Sequence, residues 1–344
     1  MDLNSSGNPS VTFTNDNLDL IYGVKSAGGW TFQTAAQNAQ FNSLAFTPGG
    51  TATILYQDVN PQNAPLENLD AIELIGSSWT TPTVIHTDYN TGEEVAHGIG
   101  PDNAAYAIFW TAMAPESRLA SGPNSTNWSL TNGPSFAESQ QAIVVGSDSV
   151  ARILTADDGT SHLLYGVRQP NGTINFQDLS ALMGNKLVGE EKSITIDQNG
   201  DVHISFLDLN NALWYGRLHQ GVWSFESVGG ASRYDRIQVG PDGTPYIVYY
   251  DTTDNALSLA TKTGSGWNSQ IIDPLPSLFP PSGEGLTFDS FRVDQSGRLS
   301  ILYWNSETRT VDFATAAPIP EPAAIILAAI GLCAIAGTRL RRLR

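Results

Sequence analysis

The sequence predicts an all-β chain made of seven similar units, each of four antiparallel strands. Three observations lead to this prediction: sequence segments that recur along the chain, turn motifs at nearly regular spacing, and a composition suited to short strands. The 344 residues include 32 Gly, 19 Pro and 8 Trp. Four-stranded units that repeat about every 48 residues are typical of the blades of a β-propeller.

The clearest recurrence joins residues 11–23 with residues 204–216, since both segments end in Tyr-Gly. Eight residues after each tyrosine comes an aromatic pair, Trp30 with Phe32 and Trp223 with Phe225. A third copy has Tyr165-Gly166 and then Ile174-Asn-Phe176, and Ala260 with Trp267 gives a fainter one. This pattern predicts the third and fourth strands of each unit, with the tryptophans packed between neighbouring units.

A strand, a turn and a second strand begin each unit. Asn199-Gly200 and Asp242-Gly243 are the clearest turns, and such dipeptides between alternating apolar runs are strong hairpin signals. The seven turns are expected near residues 7, 50, 103, 149, 200, 243 and 297. A β-sandwich would show no such repeat, and a β-helix a much shorter one.

Both ends of the repeat array look incomplete. Met1 falls inside the first strand of the first unit, so the N-terminal blade is predicted to be truncated. The last unit has three strands, the third at residues 310–316, and no fourth before the C-terminal segment. We therefore expect a start further upstream, with a signal peptide and a strand that closes the ring. A start at Met1 would leave a three-stranded blade with an open edge.

An apolar segment without charged residues occupies positions 323–337. As a helix it would span roughly 22 Å, short of the about 30 Å of a bilayer core, and the arginines that follow can extend it by snorkelling. These are Arg339, Arg341, Arg342 and Arg344. The expected organisation is an ectodomain at 1–316, a linker at 317–322, a single transmembrane helix at 323–338 and a basic cytoplasmic tail at 339–344. The alternative is a buried core helix, which would not normally end in an arginine cluster.

The order of Pro320-Glu321-Pro322, a short apolar run and a basic terminus resembles the PEP-CTERM sorting signal. The resemblance covers about the last 25 residues of the chain. It implies export, processing by an exosortase, and a place at the cell surface or in the extracellular polysaccharide matrix of a Gram-negative bacterium. It also implies that Pro320, Glu321 and Pro322 are recognition residues and that the tail is removed.

Charge and cysteine content narrow the function classes. The net charge is −17, and four of the 17 basic residues lie in the last six positions, so the body is more acidic still. Such a body disfavours nucleic acid, because binding phosphates requires clustered Lys and Arg. The one cysteine, Cys333, lies in the apolar tail, which leaves the body without a disulfide or a thiolate metal site.

No recognised catalytic motif appears in the sequence. Five histidines are scattered along the chain, at positions 86, 97, 162, 203 and 219. His203 lies in an apolar alternation that favours a blade residue over a ligand. The Asp-x-x-Gly turns at Asp197 and Asp294 are similar to the sialidase Asp-box but lack its following aromatic residue.

One column of polar residues marks the ends of the second strands. Its members are Asn15, Asp58, Thr111, Asp157, Asp208, Asp251 and Asn305. Of these, Asp58, Asp157, Asp208 and Asp251 are tentative binding residues on the loop face, where their oxygens would meet calcium or sugar hydroxyls. The alternative is that each side chain caps its own turn. The insertions at residues 60–68, 114–127 and 274–285 are where a ligand site is expected.

The leading functional hypothesis is an exported surface or matrix propeller that binds glycan or protein without catalysis. No cofactor is expected, and the sequence leaves open whether a calcium ion is bound. The second is an extracellular polysaccharide-active enzyme, a glycosidase or lyase, on the same scaffold. The third is a purely structural matrix component. A partly buried acid pair on the loop face would favour the enzyme, and an aromatic shelf would favour a lectin-like binder.

Overall fold

A computed structural model describes residues 1–62, 64–111, 116–124, 127–132, 141–157, 159–274, 290–305, 310–316 and 338–340. This part of the chain has 28 strands and one short helix. The strands form seven antiparallel units in chain order, which confirms the predicted seven-bladed propeller. In each unit the strands follow one another as a, b, c and d.

The first four blades use seventeen strands. Blade 1 has β1 (Asp2–Leu3), β2 (Pro9–Thr14), β3 (Leu20–Ser26) and β4 (Gly29–Ala36). Blade 2 has β5 (Ala39–Phe46), β6 (Ala52–Asp58), β7 (Glu67–Ile75) and a divided outer strand, β8 (Ser78–Trp79) and β9 (Thr83–Asp88). Blade 3 has β10 (Glu93–Ile99), β11 (Ala105–Thr111), β12 (Glu116–Asn124) and β13 (Asn127–Asn132). Blade 4 has β14 (Ala142–Val145), β15 (Ala151–Ala156), β16 (Leu163–Arg168) and β17 (Ile174–Asp178), and the helix α1 (Leu179–Leu182) follows it.

The last three blades share one long strand. Blade 5 has β18 (Val188–Ile196), β19 (Val202–Asp208), β20 (Ala212–His219) and the first part of β21 (Val222–Val239). The second part of β21 is strand a of blade 6, which continues with β22 (Pro245–Asp251), β23 (Ala256–Thr263) and β24 (Gly266–Asp273). Blade 7 has β25 (Ser290–Val293), β26 (Leu299–Asn305), β27 (Thr310–Ala316) and β28 (Thr338–Leu340).

The a strands form the inner ring, because each one contacts the a strand of the next blade, from β5 through β25 and on to β1. The turns between strands a and b and between c and d lie at one end of the ring, which we name the hairpin face. The b–c and d–a connections lie at the other end, which we name the loop face.

The ring closes between the first and last blades. Met1 and Val11 of blade 1 pack in one apolar cluster with Leu302, Val311 and Phe313 of blade 7. The Arg292 side chain also donates a 3.0 Å hydrogen bond to Asp2. Strand a of blade 1 has only two residues, and the blade has four strands.

Steric contact explains the recurring Tyr-Gly pair. A Cβ atom at Gly23 would lie 2.4 Å from the Phe32 ring, and one at Gly166 would lie 2.6 Å from the Phe176 ring. Each glycine stands directly opposite its phenylalanine in the c–d ladder. The missing side chain therefore makes room for an aromatic ring that covers the strand, a pairing known to stabilise sheets.

The strand-d tryptophans pack between blades, as predicted. Trp223 of blade 5 meets Tyr165 of blade 4 edge-on, with ring centroids 5.2 Å apart. Trp267 of blade 6 meets Tyr215 of blade 5 in the same way at 5.1 Å. At the ring closure, Trp30 meets Phe313 at 5.2 Å. The repeat thus joins strand c of one blade to strand d of the next.

The predicted sorting signal and membrane helix lie outside the described residues, apart from Thr338 at the helix end and Arg339 in the basic tail. Residues 338–340 form β28, whose backbone pairs with β27 at Val311–Phe313 and adds a fourth strand to blade 7. None of the helices among the described residues is long and apolar enough to cross a membrane. The membrane helix and the domain boundaries of the tail stay predictions.

Candidate functional site

A groove of about 640 Å³ lies between blades 4 and 5. Strand d of blade 4 and the segment that follows it form one wall, and strands c and d of blade 5 form the other. Three aromatic rings and several polar groups line it, including Gln177, Lys186, Trp214, Trp223, Ser224 and Phe225. Aromatic surface with a few placed polar groups is the usual lining of a small-molecule site.

The aromatic wall belongs to blade 5. Trp223 and Phe225 stack nearly parallel, at 9° with ring centroids 5.7 Å apart. Phe225 lies opposite Gly216 in the ladder, where a Cβ would approach the ring to 3.0 Å. Trp214 lies on the same surface of blade 5, closer to the loop face. Its partner across the b–c ladder is the buried Phe206.

The opposite wall is shaped by α1. Asp178 caps the helix, because its carboxylate accepts a 3.0 Å hydrogen bond from the Ala181 N–H, the usual role of Asp at this position. Gly184 and Asn185 then adopt positive φ angles of 71° and 63°, which turns the chain back toward blade 5. This turn places Lys186 at the end of the groove that is nearer the loop face.

Lys186, Trp214 and Asp208 form a compact charged group there. The Lys186 ammonium lies 4.1 Å from the centroid of the Trp214 ring and 3.5 Å from the Asp208 carboxylate. The Trp214 indole N–H donates a 3.1 Å hydrogen bond to the same carboxylate. Burial acts to raise the pKa of Asp208, but the hydrogen bonds from two backbone amides and the indole, with the nearby ammonium, hold it below its usual value.

A second polar contact, between Trp223 and Gln177, crosses the groove. The Trp223 indole N–H donates to the Gln177 side-chain oxygen at 3.1 Å. Blades 5 and 6 repeat this arrangement, with Trp267 donating to Glu226 at 3.0 Å. There the Lys262 ammonium also pairs with Glu226 at 2.5 Å. The groove between blades 4 and 5 differs in having a neutral amide at the equivalent position.

The predicted loop-face residues do not converge. The carboxylates of Asp58, Asp157 and Asp251 each accept hydrogen bonds from backbone amides two or three residues later in their own turns, at 2.8–3.2 Å. Asp208 caps its own turn in the same way, accepting from Asn210 at 2.9 Å, and it alone also adjoins the groove. The capping alternative therefore describes the geometry of these four aspartates. Among the described residues, no three histidine, cysteine or acidic side chains are placed to hold a metal ion.

Two neighbouring acidic residues near the loop face, Asp58 and Asp70, were not predicted to lie together. Asp70 lies in strand c of blade 2 opposite Tyr56, and its side chain is almost fully buried. Burial raises the pKa of Asp70 to about 6, the Asp58 carboxylate adds to the rise, and a hydrogen bond from the Tyr56 hydroxyl opposes it. The Asp58 pKa is also raised by burial.

Two of the histidines that looked unrelated in sequence share one surface of blade 5. The ring of His203 bonds to the Tyr215 hydroxyl at 2.7 Å and is buried, as expected for a blade residue. His219 bonds to Asp201 at 2.7 Å, and Arg217 bonds to the same carboxylate. The strand alternation of β19 and β20 brings these side chains together, which spacing along the chain did not indicate.

None of the described residues of the insertions predicted to flank a ligand site lines the groove. Residues 60–68 and 114–127 are only partly described, and residues 275–285 lie outside the described part. The groove depends instead on α1, a departure from the repeat between blades 4 and 5. The sequence signal that we missed is Trp214, since the other units have no tryptophan at this point of strand c.

No protein-family model matches the chain, and no curated protein sequence matches it either. Solved structures do share its fold. The BP39L lectin of Burkholderia pseudomallei gives a TM-score of 0.64 at 14% sequence identity, over 90% of this chain and 92% of the lectin.

Two further structures extend the comparison. The six-bladed lectin of Aleuria aurantia gives a TM-score of 0.52 at 13% identity, over 83% of this chain and 98% of the lectin. A protein of unknown function from Dyadobacter fermentans gives 0.52 at 12% identity, over 91% of this chain and 95% of its own. At such identities the likeness shows the propeller fold alone.

Proposed function

We propose that this propeller binds glycans without catalysis and that the groove between blades 4 and 5 is its sugar site. The observation that carries the proposal is the aromatic wall of Trp214, Trp223 and Phe225 facing the exposed amide of Gln177. Sugar rings have apolar C–H faces that pack on aromatic rings, and hydroxyl groups that need hydrogen-bond partners at the edges. This groove offers both kinds of contact.

The solved propellers support the ligand class. The Burkholderia and Aleuria proteins are named as lectins, and a point mutant of the Aleuria lectin has been solved with α-methyl-L-fucoside. Because sequence identity to these lectins is low, the proposed ligand of this chain rests on its own groove. The lectins support only the general class of ligand, which is a glycan.

We also propose that the protein is exported and processed by an exosortase through Pro320, Glu321 and Pro322. The order of the proline–glutamate–proline motif, the apolar run and the arginines supports this. A glycan-binding module in the extracellular polysaccharide matrix would meet its ligand there. Mass spectrometry of the mature protein from its native host tests this step, and an intact C-terminus on the exported chain would overturn it.

An extracellular polysaccharide-active enzyme is the second candidate function, because one observation favours it. The raised pKa of Asp70, about 6, keeps a protonated acid beside the Asp58 carboxylate on the loop face at mildly acidic pH. Glycoside hydrolysis uses one protonated and one ionised carboxyl group. Against this role, Asp70 is 3% exposed and bonds to Tyr56 within the blade.

A glycan array with the wild type, Trp214→Leu and Trp223→Leu tests the binding proposal. We expect saturable binding by the wild type and a loss of about tenfold or more in affinity for each variant, since stacking aromatic groups are typical hot spots. Val84→Ser, an exposed residue of blade 2, is the matched control and should bind normally. Release of shorter sugars by the wild type but not by Asp70→Asn would favour the enzyme instead.

A further inference from the structure

Lysine ammonium groups recur on tryptophan rings at the blade interfaces. The chain has only four lysines, at positions 25, 186, 192 and 262. Three of them lie over a tryptophan: Lys25 at 5.5 Å from the Trp30 centroid, Lys262 at 5.5 Å from that of Trp267, and Lys186 at 4.1 Å from that of Trp214. These distances are within the range of cation–π attraction.

The Lys186 contact differs from the other two because it lies in the open groove. Its ammonium group is held on one side by the Trp214 ring and on another by the Asp208 carboxylate. Asp208 itself is fixed by amide hydrogen bonds from Asn210 and Ala212 and by the Trp214 indole. A rigid carboxylate beside an aromatic face is a preformed site for a positively charged nitrogen.

The cation in this site is supplied by a partly exposed side chain of the protein itself. Lys186 is partly exposed and follows two residues with positive φ angles in the segment between α1 and β18. Trp214 and Asp208 belong to β20 and β19, so the ring and the carboxylate stay in place when the lysine swings out. A ligand ammonium group can then take the position that Lys186 occupies.

We propose that the groove prefers glycans with free amino groups, such as polymers of non-acetylated glucosamine. This inference rests on the proposed glycan binding and names its substrate class. The sugar ring packs on Trp223 and Phe225, and its ammonium group replaces that of Lys186 between Trp214 and Asp208. The net charge of −17 favours the same class, since an acidic surface concentrates cationic ligands.

The alternative is that Lys186 only stabilises the blade interface, as Lys25 does where it lies 5.3 Å over the Phe313 ring at the ring closure. In that case the amino group of a sugar brings no advantage. The two explanations predict opposite effects when Lys186 is removed, because a purely structural lysine would leave a weaker site and a competing lysine would leave a better one.

Calorimetric titration with chitosan pentamer and with its fully N-acetylated counterpart tests the proposal. For the wild type we expect the amino form to bind at least about tenfold more tightly at low salt, with the difference shrinking as salt rises. Lys186→Ala should tighten binding of the amino form and leave the acetylated form unchanged. Asp208→Asn should remove the preference while its side-chain oxygen still caps the turn. Asp242→Asn, an exposed turn carboxylate on the hairpin face of blade 6, makes the same charge change and should have no effect.

Equal affinity for the two pentamers would overturn this inference and leave glycan binding standing. Weaker binding of the amino form by Lys186→Ala would also overturn it. Binding of neither pentamer, with other glycans bound on the array, would reject the amino-sugar class alone. No binding of any glycan would reject the proposed function itself. Circular dichroism of each variant checks that the propeller is folded.

Discussion

At the scale of single residues, two buried titratable side chains give the folded protein opposite responses to pH. Asp70 is a carboxyl group with a raised pKa of about 6, and His97 is an imidazole with a lowered pKa of about 4. Burial is the main cause in both cases, since it penalises the charged form. Each group therefore stabilises the fold only in the pH range in which it is neutral.

Replacing Asp70 with asparagine should stabilise the protein above pH 6. The folded pKa lies above the unfolded value of about 4, so ionising Asp70 costs stability as the pH rises through this range. The gain should reach about 2–3 kcal/mol at pH 7 and vanish near pH 4. Denaturant unfolding at several pH values measures it. A difference between variant and wild type that stays constant with pH would contradict the assignment, and Asp242→Asn is the control.

Replacing His97 with leucine should protect the fold against acid. The folded pKa lies below the unfolded value of about 6.5, so this histidine costs stability as the pH falls from 6.5 to 4. The equivalent position is apolar in five other blades: Leu44, Ile143, Ile194, Ile237 and Phe291. The variant should gain roughly 3 kcal/mol over the wild type at pH 4 relative to pH 7. Parallel stability curves from pH 7 to pH 4 would show that His97 is not buried in its neutral form.

At the scale of the element, blades 1, 4 and 5 each contain a contact between strands c and d that a side chain on the strand-c glycine would block. The Gly23 position lies within 2.6 Å of two Phe32 ring atoms once a Cβ is added. Phe32 also meets Phe13 of strand b edge-on at 6.0 Å and stacks with Trp30. Moving the ring therefore disturbs both neighbouring contacts.

Gly23→Ala should lower the free energy of unfolding by about 1–3 kcal/mol, the usual effect of overpacking. Because the clash is mainly with Phe32, the same substitution should cost much less in a Phe32→Ala background. Urea denaturation of the two single variants and the double variant gives the coupling energy. Additive effects would mean that the glycine is kept for another reason.

Element by element, the sequence predicted the seven hairpins, the four-stranded units and the inter-blade role of Trp30, Trp223 and Trp267. These follow from short-range patterns that repeat. The groove did not follow, because Gln177, Lys186 and Trp214 belong to different elements and α1 departs from the repeat. The pairing of Asp70 with Asp58 was also missed, since only the ladder register of β6 and β7 shows that the two residues are neighbours.

At the scale of the whole molecule, the propeller is held as a ring by contact between blades 1 and 7. Phe313 is 1% exposed and packs against Met1, Val11 and Trp30 of blade 1. The described residues include no cysteine, so no disulfide among them supports this closure. Apolar burial at the closure and the Arg292–Asp2 bond hold blades 1 and 7 together.

Phe313→Ala should destabilise the protein by about 3–5 kcal/mol, as expected for a buried aromatic side chain. Amide hydrogen exchange should then increase in both blade 1 and blade 7, because each covers the other. Exchange that rises in blade 7 alone would contradict closure by mutual packing. Val84→Ser, far from the closure and exposed, should leave exchange in both blades unchanged.

The most direct test of glycan binding in the groove is a crystal structure of the protein with the strongest ligand from the array. We predict density for a sugar ring between blades 4 and 5, packed on Trp223 and Phe225 and within hydrogen-bond distance of Gln177. A sugar bound only at another blade interface, at the loop-face turns or beside Asp70 would contradict the assignment of this groove as the binding site.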